Sequence, residues 1–255
     1  MKRSIISIAV LTLVLIAACS SDAKVRKHRG RRGESMAQVE AQVLRASDAL
    51  SKFEKVIKTN PKTLDYNFKK LEEAKIVDIE TSPDGNVRYY YWEIYDEIEN
   101  EDAESNYVWP SEVKLYEQCR LASGKVVTRE FKELGEKMCN PGEISELKAK
   151  DGTTAYVVKG LAPCTHTSYI NYYWVGTIGK KGLELLPFTK KGKTSKILSR
   201  EGYIGDLEEV ELPIVDTKAG EINIAGDSDA SGAVAAYDVY TLNGKELKYK
   251  KTVKN

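Results

Sequence analysis

Histidine is scarce in this 255-residue sequence, which contains only two, His28 and His166. A zinc site takes four ligands, and Cys164-Thr165-His166 has no second histidine in the body of the chain to complete one. The P-loop, G-x-G-x-x-G, G-x-S-x-G and H-E-x-x-H patterns are also missing. We therefore expect no such metal site and no catalytic motif. A hydrolase with paired carboxylates stays open, because the sequence does not show the geometry of its 38 acidic residues.

The chain also lacks an apolar run long enough to span a bilayer as a helix, which takes about 20 residues. Its longest run, Ile5 to Ala18, has 14 residues and follows Lys2 and Arg3. A short apolar run after a positive start, ending in small residues, is typical of a secretory signal peptide. A reversed membrane anchor is the alternative, because the six basic residues between 24 and 32 favour the cytoplasmic side.

The end of that run, Ile16-Ala17-Ala18-Cys19, resembles the lipobox of bacterial lipoproteins. The resemblance implies cleavage before Cys19 and fatty acylation of its thiol, so Cys19 is the expected lipid attachment site. An ordinary secretory leader with a chance cysteine is the alternative. The resemblance also implies a place in the cell envelope, as an outer membrane lipoprotein whose periplasmic or surface face stays undecided.

The lipobox divides the chain into a signal peptide (1–18), a lipidated basic tether (19–33) and a body. A lipid beside basic residues is the two-signal arrangement that holds proteins on anionic membranes, and a solvated spacer is the alternative interpretation of the tether. Membrane lipid is thus one expected partner. Nucleic acid is not an expected partner, because the chain beyond the tether is acidic.

Three cysteines remain in the body: Cys119, Cys139 and Cys164. An extracytoplasmic location permits disulfides. An odd number allows either one pair with a free thiol or no pair at all, and the sequence does not choose between them.

Apolar residues between Glu34 and Lys58 recur at alternating steps of four and three, which places them on one helical stripe: Val39, Val43, Ala46, Leu50, Phe53 and Ile57. We predict one helix over this range that packs on its own body, with self-association as the alternative. Asn60-Pro61 ends it, and a second short helix is predicted from Leu64 to Ala74. The predicted helical segment therefore covers 34–74.

From 75 to 255 the pattern changes to β-type runs separated by turn pairs: Asp84-Gly85, Ser123-Gly124, Asp151-Gly152, Lys181-Gly182 and Asn243-Gly244. Asp-Gly and Asn-Gly supply the positive φ that tight hairpin turns need. Flanking runs such as Val113–Arg120 and Val126–Phe131 then pair as hairpins. We predict a mainly β fold (α+β overall) with about ten antiparallel strands, sandwich- or barrel-like, with a small propeller as the alternative.

One hairpin carries a second resemblance. Ser82-Pro83-Asp84-Gly85-Asn86-Val87-Arg88-Tyr89-Tyr90-Tyr91-Trp92 resembles the S-x-D-G-x-x-R-x-Y-x-W hairpin of uncharacterised lipoproteins from Bacteroidetes. The stretches 155–160 and 237–244 are similar to later parts of the same proteins. The resemblance implies an envelope location and a mostly β body, and it brings no activity.

Two features are candidates for ligand binding. Asp227-Ser228-Asp229-Ala230-Ser231-Gly232, with Asp238 beyond, matches much of a calcium loop, and a polar hairpin loop is the alternative. Two aromatic runs, 89–95 and 169–174, place rings on both faces of a strand. A two-sided core is the favoured interpretation, and a sugar-stacking face is the alternative.

Together these features predict a membrane-anchored extracytoplasmic lipoprotein. We expect a non-enzymatic binding or envelope-structural protein, with a glycan or another envelope protein as its partner. A glycan-binding accessory lipoprotein and a carboxylate-dependent hydrolase are the alternatives.

Overall fold

The computed structural model describes residues 34–95, 110–134, 140–149, 151–163, 168–203, 214–226 and 234–254. Residues 36–255 form one unit of the chain, and the following account concerns that unit. Several predicted positions lie outside the described residues: the signal peptide, Cys19, the basic tether, His28, Cys139, Cys164, His166 and the loop 227–233.

Helices come first in the chain and strands follow. The helical elements are α1 (Met36–Leu44), α2 (Ala49–Thr59), a 3₁₀ helix (Pro61–Asp65) and α3 (Lys69–Glu73). The strands are β1 (Asp78–Thr81), β2 (Val87–Ile94), β3 (Glu112–Arg120), β4 (Val126–Glu130), β5 (Asn140–Lys148), β6 (Thr154–Pro163), β7 (Ser168–Ile178), β8 (Leu183–Leu185), β9 (Phe188–Lys190), β10 (Lys193–Ser195), β11 (Ile197–Tyr203), β12 (Val215–Asp216), β13 (Glu221–Ala225), β14 (Ala236–Asn243) and β15 (Glu246–Lys254).

The strands form three sheets. Sheet A has the order β1-β2-β3-β4, sheet B the order β11-β7-β6-β5 with β8 paired to β7, and sheet C the order β10-β9-β15-β14-β13-β12. Neighbouring strands are antiparallel except β9 and β15, which are parallel. The predicted mainly β fold with antiparallel hairpins is confirmed, with fifteen strands in the described residues rather than about ten. The glycines of all five predicted turn pairs have positive φ.

The three sheets stack face to face, and side chains that alternate along each strand fill the cores between them. In β7, Tyr172 and Trp174 enter the core between sheets A and B, whereas Tyr173 and Val175 enter the core between sheets B and C. Sheet B is therefore buried on both faces. The other face of sheet A packs on the helices through residues such as Tyr90. The order of layers is helices, sheet A, sheet B and sheet C. Apart from the exposed Tyr95 and the half-buried Tyr169, the aromatic runs form the two-sided core that alternation predicts.

The single helix predicted over 34–58 is wrong, because the chain breaks between 45 and 48 and folds back. Lys52 Nζ donates to the carbonyl of Gln42 at 3.3 Å, and Asn60 Nδ2 lies 3.1 Å from Met36 Sδ. A straight helix of that length would hold Met36 and Asn60 roughly 36 Å apart. The break lets both Val43 and Phe53 enter the same core against sheet A.

The second predicted helix, Leu64 to Ala74, is also wrong in extent. A 3₁₀ turn and the short α3 replace it, although Leu64, Phe68 and Leu71 are all buried as the pattern requires. The buried Glu40 of α1 explains the arrangement, because its carboxylate accepts a hydrogen bond from the Lys70 backbone N–H at 2.9 Å. A side chain remote in sequence thus satisfies the first turn of α3, which local periodicity does not reveal.

Candidate binding site

A groove opens where the edge of sheet B meets the β9–β10 hairpin of sheet C. Its volume of about 450 Å³ falls within the range of about 300–1,000 Å³ that small-ligand sites occupy. Arg200 lies on the β11 side, Lys190 lies on the hairpin side, and Tyr240 of β14 lies at the base. The lining, called the basic groove below, is Phe188, Lys190, Lys191, Lys193, Thr194, Ser195, Leu198, Arg200 and Tyr240.

The course of the chain fixes both walls of the basic groove. Only Lys196 separates β10 of sheet C from β11 of sheet B, so the two walls are covalent neighbours. Phe188 and Tyr240 are almost fully buried and meet edge to face, with ring centroids 5.2 Å apart. This aromatic contact anchors the hairpin on the core between sheets B and C. The groove therefore has an apolar base and a basic rim.

The Asp238 carboxylate binds two of the four cations of the basic groove. Lys190 Nζ donates to Asp238 Oδ2 at 2.6 Å, and Arg200 Nη2 donates to the same oxygen at 3.2 Å. A single negative charge cannot neutralise both, so this cluster keeps an excess positive charge. Lys191 and Lys193 are exposed and have no ion-pair partner in the described part of the chain. The rim thus offers positive charge to a ligand.

The titratable groups of the groove are suited to binding rather than proton transfer. Burial raises the pKa of Asp238, but hydrogen bonds from Lys190 and Thr252 and the Lys190 and Arg200 charges outweigh it and lower the pKa overall. Burial, with the Asp238 charge, raises the pKa of Tyr240 to about 12. Near neutral pH the acid stays ionised and the phenol stays protonated, so neither is matched to general acid–base catalysis.

The tip of the β9–β10 hairpin holds a lysine in an unfavourable conformation. Lys191 has a φ of 50° and Gly192 a φ of 78°, between the paired residues Lys190 and Lys193. Two central residues with positive φ define a type I′ turn, which favours Asn-Gly. A lysine in the left-handed region costs of order 1–3 kcal/mol. Strained residues cluster at functional sites, so the conformation of Lys191 supports a binding role for its ammonium group.

A local excess of basic residues in the sequence indicates this groove, although the net charge of the body does not show it. Between 180 and 200 there are seven basic residues and one acidic residue, within a body that is acidic as a whole. Lys191-Gly192 is also a turn pair, although it is less characteristic than Asn-Gly. A local charge count along the strands finds the segment. Only the fold shows that four of its cations surround one pocket.

The structure describes only the end of the predicted calcium loop. Asp238 belongs to β14, and its Oδ1 accepts a hydrogen bond from Thr252 at 2.8 Å while Oδ2 binds the two cations of the groove. The other candidate ligands, between 227 and 232, lie outside the described residues. No group of three or more His, Cys, Asp or Glu side chains that would hold a metal occurs in the described ranges.

The body cysteine that the structure describes belongs to a buried polar network between sheets A and B. Cys119 is a free thiol without exposed surface, and it donates to Glu117 at 3.3 Å. Glu117, 1% exposed, also accepts from Arg129 Nε at 3.0 Å, Arg129 Nη2 at 3.1 Å, Tyr89 at 3.2 Å and the Leu183 backbone at 2.9 Å. Burial first, and then Glu117, raises the pKa of the Cys119 thiol, so it is not an activated nucleophile.

The hairpin motif at 82–92 is structural. The Asp84 carboxylate accepts from Ser82, from the backbone and side chain of Asn86, and from Tyr156 of sheet B at 2.8 Å. Buried Arg88 donates to the carbonyls of Thr63 at 2.9 Å and Tyr66 at 2.6 Å. The motif therefore joins the helices, sheet A and sheet B.

Two further features lack the properties of the basic groove. A pocket of about 360 Å³ lies between the end of α2 and the β3–β4 turn, but its Lys58 already binds Glu54. The pKa values of Glu72 and Glu80 are raised, in both by burial first and then, for Glu80, by the charges of Glu143 and Glu72. These carboxylates line neither pocket.

No family model, curated protein or solved structure matches this chain. Within the described ranges, no helix has the length and hydropathy needed to cross a membrane.

Proposed function

We propose that this protein is a lipid-anchored lipoprotein of the cell envelope whose body is a non-enzymatic binding module for an anionic ligand. The basic groove is the observation that carries the binding part of the proposal. It combines four cations, two of them without an ion-pair partner in the described residues, with a buried apolar base. Binding sites typically combine an apolar lining with a few placed polar groups.

The leader supports the anchored part of the proposal. A positive start, a 14-residue apolar run and the small residues before Cys19 match a lipoprotein signal. Acylation of the thiol and the basic residues that follow would together hold the body at an anionic membrane. Cell fractionation, with mass spectrometry of the purified amino terminus, tests the anchor. Wild type is expected in the membrane fraction with an acylated Cys19. Cys19→Ala is expected either as soluble protein or with its signal peptide uncleaved. An uncut, unmodified wild-type chain in the cytosol would overturn the anchor.

The binding part is tested by salt elution from heparin, a soluble polyanion. The double variant Lys191→Ala/Lys193→Ala removes two exposed charges of the groove. Its matched control, Lys180→Ala/Lys181→Ala, removes two exposed charges from the β7–β8 turn outside the groove. The groove variant is expected to elute at lower salt than both wild type and the control, because phosphate- and sulfate-like groups are held by charge. Equal elution of the two double variants refutes the groove as the site.

A carboxylate-dependent hydrolase is the second candidate, and the raised pKa values of Glu72 and Glu80 favour it. A carboxyl group whose pKa is raised toward neutral pH is suited to general acid catalysis. Wild type and Glu80→Gln would be compared on a panel of chromogenic glycosides. Turnover by wild type that Glu80→Gln loses, with folding intact, would favour the hydrolase over the binding module.

A further inference from the structure

We infer that the outer edge of strand β4 is a docking site for an extended peptide segment of a partner protein. The segment pairs with β4 as an added antiparallel strand, and it carries an apolar residue followed by an acidic one. This site is separate from the basic groove, because β4 (Val126–Glu130) is the last strand of sheet A, whereas the groove lies between sheets B and C.

The outer edge of β4 carries unpaired backbone groups. At the start of the β3–β4 ladder, the Leu121 N–H donates to the Lys125 carbonyl at 2.8 Å. Because hydrogen-bonded pairs alternate along an antiparallel ladder, Val126, Thr128 and Glu130 direct their N–H and C=O groups away from β3. These groups have no hydrogen-bond partner in the described part of the chain. An open strand edge of this kind is a template for a further strand.

A pocket of about 360 Å³ lies along this edge, between β4 and the end of α2. Val126 and Pro61 give it apolar walls that solvent still reaches. The Thr128 hydroxyl holds the walls together, because it donates to the Ile57 carbonyl at 2.9 Å. Side chains of directly paired residues lie on the same face of a sheet, so the residue opposite Val126 points into this pocket. Pockets beside an open edge select the alternate side chains of the added strand.

The charges at the start of β4 favour an acidic residue next to the apolar one. The pocket lining contains Lys58 and Lys125 and no carboxylate. Lys58 is paired with Glu54, whereas Lys125 is exposed and has no ion-pair partner within the described ranges. Lys125 directly precedes Val126, so in an antiparallel partner the residue after the apolar one lies opposite Lys125. An acidic side chain at that position forms a cross-strand charge pair.

A second copy of this chain fits the edge less well than a different protein does. Antiparallel pairing of two β4 strands about Thr128 sets Glu130 of one copy opposite Val126 of the other. The pocket then receives a carboxylate and no apolar side chain. The apolar walls therefore favour a partner segment with another sequence.

Fluorescence anisotropy of a labelled peptide tests the site. The probe is Thr-Thr-Val-Thr-Ile-Glu-Thr with an amidated end, in which isoleucine lies opposite Val126 and glutamate opposite Lys125. It is titrated with the full chain purified in detergent. We expect saturable binding that N-methylation of the isoleucine abolishes, because that nitrogen donates to β4. N-methylation of the threonine before it should leave the affinity unchanged, since that N–H points away from β4.

A charge exchange tests the acidic residue of the partner. Lys125→Glu should weaken binding of the probe severalfold, and a probe with lysine in place of glutamate should recover the loss. Lys55→Glu is the matched control, because Lys55 is exposed on α2 and lies outside the pocket lining. It should leave binding unchanged.

Three results would overturn the inference. Lack of saturable binding, or equal affinity of the two N-methylated probes, would refute strand addition at β4, and neither result depends on the folding of a variant. Binding that the charge exchange does not alter would refute the acidic partner. A dimer of the full chain in sedimentation that Val126→Pro dissociates, with no binding of the probe, would assign the edge to a second copy. Proline at Val126 is compatible with the fold, because it removes only an outward N–H of an edge strand.

Discussion

Replacing Glu117 with glutamine is expected to destabilise the protein more than any surface change on the same sheet. Glu117 lies 1% exposed between sheets A and B, where its two oxygens accept five hydrogen bonds of 2.9–3.3 Å. Two of these come from Arg129, whose Nη2 also donates to the Leu183 carbonyl at 2.8 Å. The same carboxylate thus ties β3 to β4 and to the start of β8.

The size of the destabilisation follows from the charge and the acceptor that glutamine does not provide. The variant keeps the shape of the side chain, loses the negative charge, and turns an NH₂ group toward donors that previously met an oxygen. The Arg129 guanidinium then remains partly buried without its counter-charge. Breaking a buried ion pair by removing one partner costs about 3–5 kcal/mol. For a folded body of this size, that corresponds to a fall in Tm of roughly 6–20 °C.

Urea unfolding followed by circular dichroism measures this loss. Glu130→Gln is the matched control, because Glu130 belongs to the neighbouring strand and pairs with the exposed Lys132 at 3.2 Å. A surface pair of that kind contributes about 0–1 kcal/mol. The double variant Glu117→Gln/Arg129→Gln should lose less than the sum of its single variants, because the two side chains interact directly. If Glu117→Gln lies within 1 kcal/mol of Glu130→Gln, the network does not hold the two sheets together.

Three further predictions concern single residues. Lys191→Asn should raise the free energy of unfolding by about 0.5–1 kcal/mol, because asparagine tolerates positive φ. The same variant should elute from heparin at lower salt. A lower free energy of unfolding in urea would contradict the claim that Lys191 is strained. The folded pKa of Asp238 is lowered, so its contribution to stability is present above the unfolded pKa and is lost as pH falls through the folded pKa. The stability gap between wild type and Asp238→Asn should be constant above about pH 5 and shrink below it. A gap that widens in acid would refute the assignment. Asp84→Ala should cost about 1–2 kcal/mol after allowance for its exposure, whereas Asp151→Ala at the other Asp-Gly turn should change thermal stability little; equal losses would mean that docking onto Tyr156 is unimportant.

Much of the fold was predictable from local sequence because its turns and alternation are local. Asp84-Gly85, Ser123-Gly124 and Asn243-Gly244 each mark a hairpin, since only particular residues accept the positive φ that these turns need. The consecutive aromatic residues of β2 likewise indicate a strand whose two faces are both buried. These features depend on a few neighbouring residues, so they can be read without the rest of the chain.

The helices and the groove were not predictable, because contacts distant in sequence determine them. Glu40 satisfies the start of α3 from 30 residues away, and the back-folding of α1 depends on a core completed by sheet A. Asp238 meets Lys190 and Arg200 only because β14 and β9 belong to sheet C while β11 belongs to sheet B. Periodicity predicts which residues of an element are buried, and it does not predict which element covers them.

The layered fold also explains where on this body a ligand can bind. Sheet B is covered on one face by sheet A and on the other by sheet C, so its broad surfaces are committed to packing. Twisted sheets that pack face to face separate toward their edges and corners, and side chains there are only partly covered. The groove lies at such an edge, where the chain passes from β10 of sheet C to β11 of sheet B. Positive charges that would destabilise either core are tolerated at this edge, because water reaches Lys191 and Lys193 and Asp238 holds the two cations that lie deeper. A binding site assembled at that edge leaves the aromatic cores free to supply stability, so variants of the rim should alter ligand affinity with little effect on unfolding.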